Sequence, residues 1–240
     1  MRNINRAPIV SAIICYYDTS YEYETAVRVL AILKKYNFFP PEKIHADHLT
    51  KNKYIYTDTS TEQIFVNAYS EKNVLGLDMA SNNGNNNVDY WRFSWNYTFL
   101  KNKKSINSIF VPWNVITLSS TYKRLTNTKM YNDYIACVKE LIVELNPFFA
   151  SVEDAENTVR LMGRSKDKRV NPERIPHVSW GNYINTSIYN CKEKEPFLKA
   201  NSYFSEIIGD GIWFTLGPSM IDINSIEVNK RRKIIEKYLI

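Results

Sequence analysis

Hydrophobic and polar positions along this chain follow two rhythms, one of period two and one of three to four residues, and the rhythms alternate in blocks. Ile9-Val-Ser-Ala-Ile-Ile-Cys-Tyr16 is a β-branched run that reads as a buried first strand. From Tyr21 to Tyr36, Ala26, Val27, Leu30, Ala31 and Leu33 recur at helical spacing with charges on the other side, and Pro40-Pro41 stops the pattern. Ser60-Thr-Glu-Gln63 has the form of a capping box, which predicts a second helix to about Glu71, and Val74 to Met79 follows as a strand. The polar segment Ser81 to Asn87 predicts a turn, because asparagine and glycine tolerate positive φ.

Beyond it, Trp91, Phe93, Trp95, Tyr97 and Phe99 alternate with polar residues, so a strand would place all five rings on one sheet face, packed against helices. Ser108 to Ser119 predicts the next strand, with Pro112 marking an edge or bulge. Tyr131, Tyr134, Ile135, Val138, Leu141, Ile142 and Leu145 give the clearest helix in the chain, ending before Pro147. Pro147 to Val152 looks extended. Pro196 to Ile208 follows a helical pattern, Gly209-Asp-Gly211 a turn, Ile212 to Leu216 a strand and Ser225 to Tyr238 a terminal helix. The order predicts a single α+β domain over residues 1–240, with a mixed or antiparallel sheet and an aromatic-rich meander packed against several helices.

Composition narrows the function classes. The 7 glycines and the absence of GxGxxG or GxxxxGK[ST] strings exclude the common phosphate-binding loops. The formal charge of +6 is partly concentrated in Lys230-Arg-Arg-Lys233, which reads as the solvated face of a helix, while the basic run Arg160 to Arg174 reads as a loop. Cys15, Cys137 and Cys191 share no metal-binding or CxxC spacing, as expected of reduced thiols in a cytoplasm. The apolar run at Pro8 to Cys15 is too short to span a membrane.

Candidate chemistry is sparse. His45-Ala-Asp-His48 has HxxH spacing, but no third ligand follows, Pro40-Pro41 upstream predicts a loop, and no metal is expected. Glu153 and Asp154 are adjacent in an extended segment, where neighbouring carboxylates point to opposite faces and make a poor acid–base pair. His177 has Cys191 nearby in sequence but no nucleophile elbow. In the surrounding His177-Val-Ser-Trp-Gly-Asn-Tyr-Ile184, a structural account uses every feature: Pro176 gives an extended approach, Gly181 permits a turn or close packing, and Asn182 can bond backbone. No catalytic residues and no cofactor are therefore expected.

Three segments together resemble the bacterial polymorphic-toxin immunity proteins of the immunity protein 52 kind, linked to type VI secretion. They are Leu145 to Ala150 with Asp154 after it, the block Trp180, Gly181, Asn182 and Tyr183, and Gly209 to Leu216 with Asp210 and Gly211. The resemblance implies a non-enzymatic α+β protein that occludes a cognate toxin in the cytoplasm. The segment Tyr16, Tyr17, Asp18, Tyr21, Glu22, Tyr23 and Glu24 is the candidate contact, since tyrosines suit interface hot spots and carboxylates steer a basic partner; a capped helix start is the simpler account of the same residues. The competing class is a nucleic-acid-binding or catalytic factor of a phage or mobile element, using the basic C-terminal helix and loop.

Overall fold

A computed structural model of the protein describes residues 9–16, 23–48, 61–70, 74–81, 90–97, 114–157, 175 and 177–239. Ser60, most of the Ser81 to Asn87 segment, Phe99, Pro112, the Arg160 to Arg174 run and Pro176 lie outside the described residues. The chain divides into two compact units, one within residues 17–145 and one formed by residues 8–16 together with 146–240.

The first unit holds helices α1 (Tyr23–Lys35) and α2 (Thr61–Ser70), strands β2 (Lys43–His48), β3 (Val74–Ala80), β4 (Trp91–Tyr97) and β5 (Asn114–Thr121), the short helix α3 (Tyr122–Leu125) and the long helix α4 (Thr128–Leu145). Its strands pair antiparallel in the order β2, β3, β4, β5. The period-two pattern of β4 works as expected over its described side chains: Trp91, Phe93 and Trp95 are buried, and Arg92 is exposed. Arg92 grips Asp78 of β3 with two hydrogen bonds of 2.7 and 2.5 Å. Helices cover the aromatic face. Phe65 of α2 meets Phe93 at 5.9 Å between ring centres, and Tyr134 of α4 donates its hydroxyl to the Leu118 carbonyl at 2.9 Å.

Helix α1 closes before the two prolines are reached. Asn37 adopts φ +60° and Phe38 N donates to the Leu33 carbonyl at 2.8 Å, a left-handed C-terminal cap. Asn127 caps α4 by accepting from the backbone of Lys129 and Met130. The segment His45 to His48, expected to be a loop, is instead part of β2, and the register against β3 shifts between Asp47 and His48. Pairing with the apolar strand β3 overrides the weak strand propensity of this charged segment.

The second unit holds β1 (Ile9–Tyr16), β6 (Phe149–Asp154), β7 (Gly181–Asn185), helix α5 (Glu195–Asn201), strands β8 (Phe204–Ile208) and β9 (Gly211–Thr215), and helix α6 (Ile226–Leu239). The strands pair antiparallel in the order β1, β6, β7, β9, β8. Every residue of β7 and β9 is buried. Leu198 of α5 and the stripe Val228, Arg232, Ile235 and Leu239 of α6 are buried as well.

The single helix expected over Pro196 to Ile208 is the clearest departure from the sequence pattern. The helix stops at Asn201, Ser202 turns extended, and the remainder forms β8 as the outer arm of a hairpin. The hairpin explains the switch. Gly209 supplies φ +53°, and at Gly211 an added Cβ would lie 2.4 Å from the Ile184 carbonyl oxygen and 2.6 Å from the Tyr183 ring, so only glycine fits. With that turn fixed, the β-branched Ile207 and Ile208 pair with β9, and cross-strand pairing outweighs a helical rhythm only a few residues long.

Candidate functional site

The residues around His177-Val-Ser-Trp180 form a buried polar cluster in the second unit. Near the end of strand β6 Glu153 points inward, while Asp154, its last residue, accepts from the backbone of Glu156 and Asn157. The alternation expected of adjacent carboxylates in a strand therefore holds. Glu153 is fully buried, and its Oε2 accepts from Arg232 Nη2 at 2.7 Å and from Trp180 N at 3.0 Å. Its Oε1 accepts from Asp154 N at 3.2 Å and Asn157 Nδ2 at 3.4 Å. All four partners are donors, which suits a carboxylate. Arg232 also donates to Asn229 Oδ1 at 3.1 Å, whereas its Nε has no partner.

Burial pushes the Glu153 carboxyl above its usual range, opposed by the Arg232 charge and the three N–H donors. The pair replaces a basic surface with an internal tie. Lys230-Arg-Arg-Lys233 is divided accordingly: Lys230 and Lys233 are exposed, Arg231 donates to the Leu216 carbonyl at 3.2 Å, and Arg232 faces the core. Sequence reasoning overlooked this ion pair, although a signal was there. Arg232 lies four residues after Val228 and three before Ile235, on the apolar stripe of α6.

The rest of the segment is held by packing and by hydrogen bonds to backbone. Asn182 uses both ends of its amide on one residue, accepting from Ser179 N at 2.7 Å and donating to the Ser179 carbonyl at 2.9 Å. Trp180, Asn182 and Tyr183 are buried. An added Cβ on Gly181 would meet the Trp213 ring at 3.1 Å and Val152 at 3.3 Å, so this glycine serves close packing. Asp210, at the exposed hairpin tip, accepts from Thr186 N at 3.1 Å through its carbonyl and from Asn146 through its carboxylate. His177 is buried edge-on to Phe149, and neither ring nitrogen has a hydrogen-bond partner, so no nucleophile is joined to it. The three cysteines are buried free thiols, and burial pushes Cys15 up to about 12. Among the described residues, no three His, Cys, Asp or Glu side chains converge on a common point.

His177 gives the cluster a pH dependence. Burial first, and the Arg232 charge second, lower its pKa from 6.5 to about 4. The unfolded chain takes up the proton more readily, so stability present above pH 6.5 is lost as pH falls towards 4, by about 3 kcal/mol in total. His177→Gln should therefore lose less stability than the parent when urea unfolding is compared at pH 7 and pH 4.5. Equal losses in the two proteins would refute this origin.

The candidate contact segment is partly displaced from the surface. Tyr16, expected there, is fully buried at the end of β1, where the strand's inward residues join the core. Tyr17, Asp18, Tyr21 and Glu22 lie outside the described residues. Tyr23 and Glu24 do reach solvent at the start of α1. Val27 is exposed one turn further on, and Arg28 bonds Glu144 of α4 at 2.5 Å while lying 3.8 Å from Glu24. The outer face of α1 thus offers an aromatic and an aliphatic side chain beside charges of both signs.

Fold and site together define an α+β protein with antiparallel strand pairing, aromatic clusters and a buried Glu–Arg pair. Comparison with known protein families gives no match, and comparison with curated proteins gives none either. Among solved structures, the chain is similar to the Pseudomonas aeruginosa T6SS protein PA0821, with a TM-score of 0.60 and 12% sequence identity, over 94% of this chain and 72% of that one. At that identity the likeness is one of fold. Among the described residues, no helix is long and apolar enough to cross a membrane.

Proposed function

We propose that this protein is an immunity protein of the immunity protein 52 kind that works in the cytoplasm, binding a cognate toxin of a type VI secretion system and neutralising it by occlusion, without catalysis. The observation that carries the reading is the fold shared with a T6SS protein over 94% of the chain. The sequence resemblance in Leu145 to Ala150, Trp180 to Tyr183 and Gly209 to Leu216 points the same way. The buried polar cluster supports it too, since its hydrogen bonds are spent on joining β6, the Trp180 segment and α6. An occluding protein needs a rigid frame more than it needs reactive groups.

The contact assigned here is the N-terminal turn of α1, where Tyr23 and Glu24 remain exposed. Coexpression with the neighbouring open reading frame should give a complex that co-purifies and protects cells from that gene product. A Tyr23→Ala, Glu24→Lys double variant should weaken the complex by about 1 to 3 kcal/mol, read by titration calorimetry, with an unchanged melting temperature. If the neighbour-encoded protein neither binds nor becomes harmless, the immunity reading fails. If it binds the double variant equally well, only the assignment of the surface fails.

A further inference from the structure

Helix α6 turns one whole face away from the core. Its buried stripe is Val228, Arg232, Ile235 and Leu239, and on the opposite side Ile226, Lys230, Lys233 and Lys237 are exposed. These last four follow one another at steps of four, three and four residues, so the helical repeat stacks them in a single column about 16 Å long. The carboxylates of the helix, Glu227 and Glu236, sit about a quarter-turn to either side of it. Lys230, Lys233 and Lys237 meet no carboxylate among the described residues, whereas Lys34, Lys35, Lys129 and Lys199 each do.

The helix dipole accounts for only part of this column. The C-terminal end of a helix carries roughly half a negative charge, which one cation in the last turn offsets. Lys237 supplies that cation, so Lys230 and Lys233 exceed the need. Apolar groups are left in water beside them: Ile226, which heads the column, is 85% exposed, and Ile234, which borders it, is 40% exposed. Cations interleaved with isoleucines match a partner surface that is both acidic and apolar.

Nucleic acid is the less suited occupant. Its recognition favours guanidinium groups and open rings for stacking, and this helix spends both elsewhere. Arg231 donates to the Leu216 carbonyl and lies over the Tyr203 ring, and Arg232 is buried against Glu153. Tyr238, near the end of the column, is stacked on Phe197 at 3.8 Å between ring centres, with Lys194 at 5.7 Å from its own. What remains outward is ammonium groups and aliphatic side chains. We propose that the outer face of α6 is a docking surface for an acidic, amphipathic helix of a partner protein. Carboxylates recurring every three or four residues on that helix lie opposite Lys230, Lys233 and Lys237, and its apolar side chains cover Ile226 and Ile234. The ion pairs set orientation and association rate, and burial of the isoleucines adds affinity. The surface belongs to the second unit and goes beyond the immunity reading and the contact assigned to α1.

The test titrates the full chain with a blocked synthetic peptide, Glu-Ala-Leu-Glu-Ala-Ala-Leu-Glu-Ala-Leu-Glu, and follows the methyl signals of Ile226 and Ile234 by NMR. The peptide should shift both signals to saturation, and binding should weaken about tenfold in a Lys230→Gln, Lys233→Gln, Lys237→Gln variant. The control Lys34→Gln, Lys35→Gln, Lys129→Gln removes the same charge from lysines that already hold carboxylates, and it should bind like the parent. A peptide with serine for leucine keeps its charge and should bind more weakly. If the first triple variant melts below the parent, Lys233→Gln alone gives the same reading with a smaller change. Absence of shifts at Ile226 and Ile234 overturns the proposal, as does equal binding to the two triple variants. So does a single-stranded oligonucleotide of equal charge that shifts the same signals at lower concentration, which would make this face a nucleic-acid surface. A neighbour-encoded protein that does not bind rejects immunity and leaves this surface standing on the peptide result.

Discussion

Arg232→Met is expected to destabilise the protein by about 3 to 5 kcal/mol, because it leaves the Glu153 carboxylate buried without its cation. The pair is closed off from water: the Arg232 side chain is 6% exposed and that of Glu153 is 0% exposed, with 2.7 Å between Nη2 and Oε2. Removing one partner costs far more than the pair contributes, since water no longer reaches the remaining charge. The double variant Glu153→Leu, Arg232→Met should therefore recover part of the loss. Recovery will be incomplete, because Trp180 N and Asn157 Nδ2 lose their acceptor on Glu153. Urea unfolding of the two single variants and the double variant gives the coupling directly. A single variant within about 1 kcal/mol of the parent would mean that the carboxyl is satisfied without Arg232.

The second large effect is expected at Trp180. Its ring is buried, and Trp180→Ala should cost about 3 to 5 kcal/mol through the cavity it leaves. The backbone of this residue is held independently of the ring: its N–H donates to Glu153, and its carbonyl accepts from Leu216 N at 2.8 Å. The indole N–H has no partner, so Trp180→Phe removes an unsatisfied donor along with part of the ring and should cost less than half as much. Thermal melts of the alanine and phenylalanine variants decide the matter. An alanine variant that melts with the parent would show that the ring is not part of the core.

How much of this was legible in the sequence depended on whether a residue's environment is set nearby or far along the chain. Trp91, Phe93 and Trp95 announced β4 because alternation is a local property, and the helix over Thr128–Leu145 was legible for the same reason. The α+β class followed from such blocks. β2 and β8 were hidden, because each is held in strand form by a neighbour, β3 and β9 respectively, and their own residues carry mixed preferences. The site was legible in half. Gly181, Asn182 and Gly211 could be read as structural from their small size and side-chain amide, but Glu153 and Arg232 meet across a wide separation in the chain that no local pattern spans. Tyr16 misled for a related reason: a tyrosine among acidic residues looks like surface, yet the inward phase of β1 continues to that position.

The strand that begins the described chain belongs to the second unit. Val10 is opposite Asp154 and Cys15 opposite Phe149, so β1 and β6 are neighbours although the first unit's residues lie between them in the sequence. A fragment started at Asn146 would carry the β8–β9 hairpin, the Trp180 segment and the Glu153–Arg232 pair, yet it would present the apolar flank of β6 as a raw edge. Laboratory dissection of this protein should therefore follow connectivity in space: fusing residues 8–16 beyond the C-terminal helix by a flexible tether, or supplying them as a separate peptide, keeps together what simple truncation would separate.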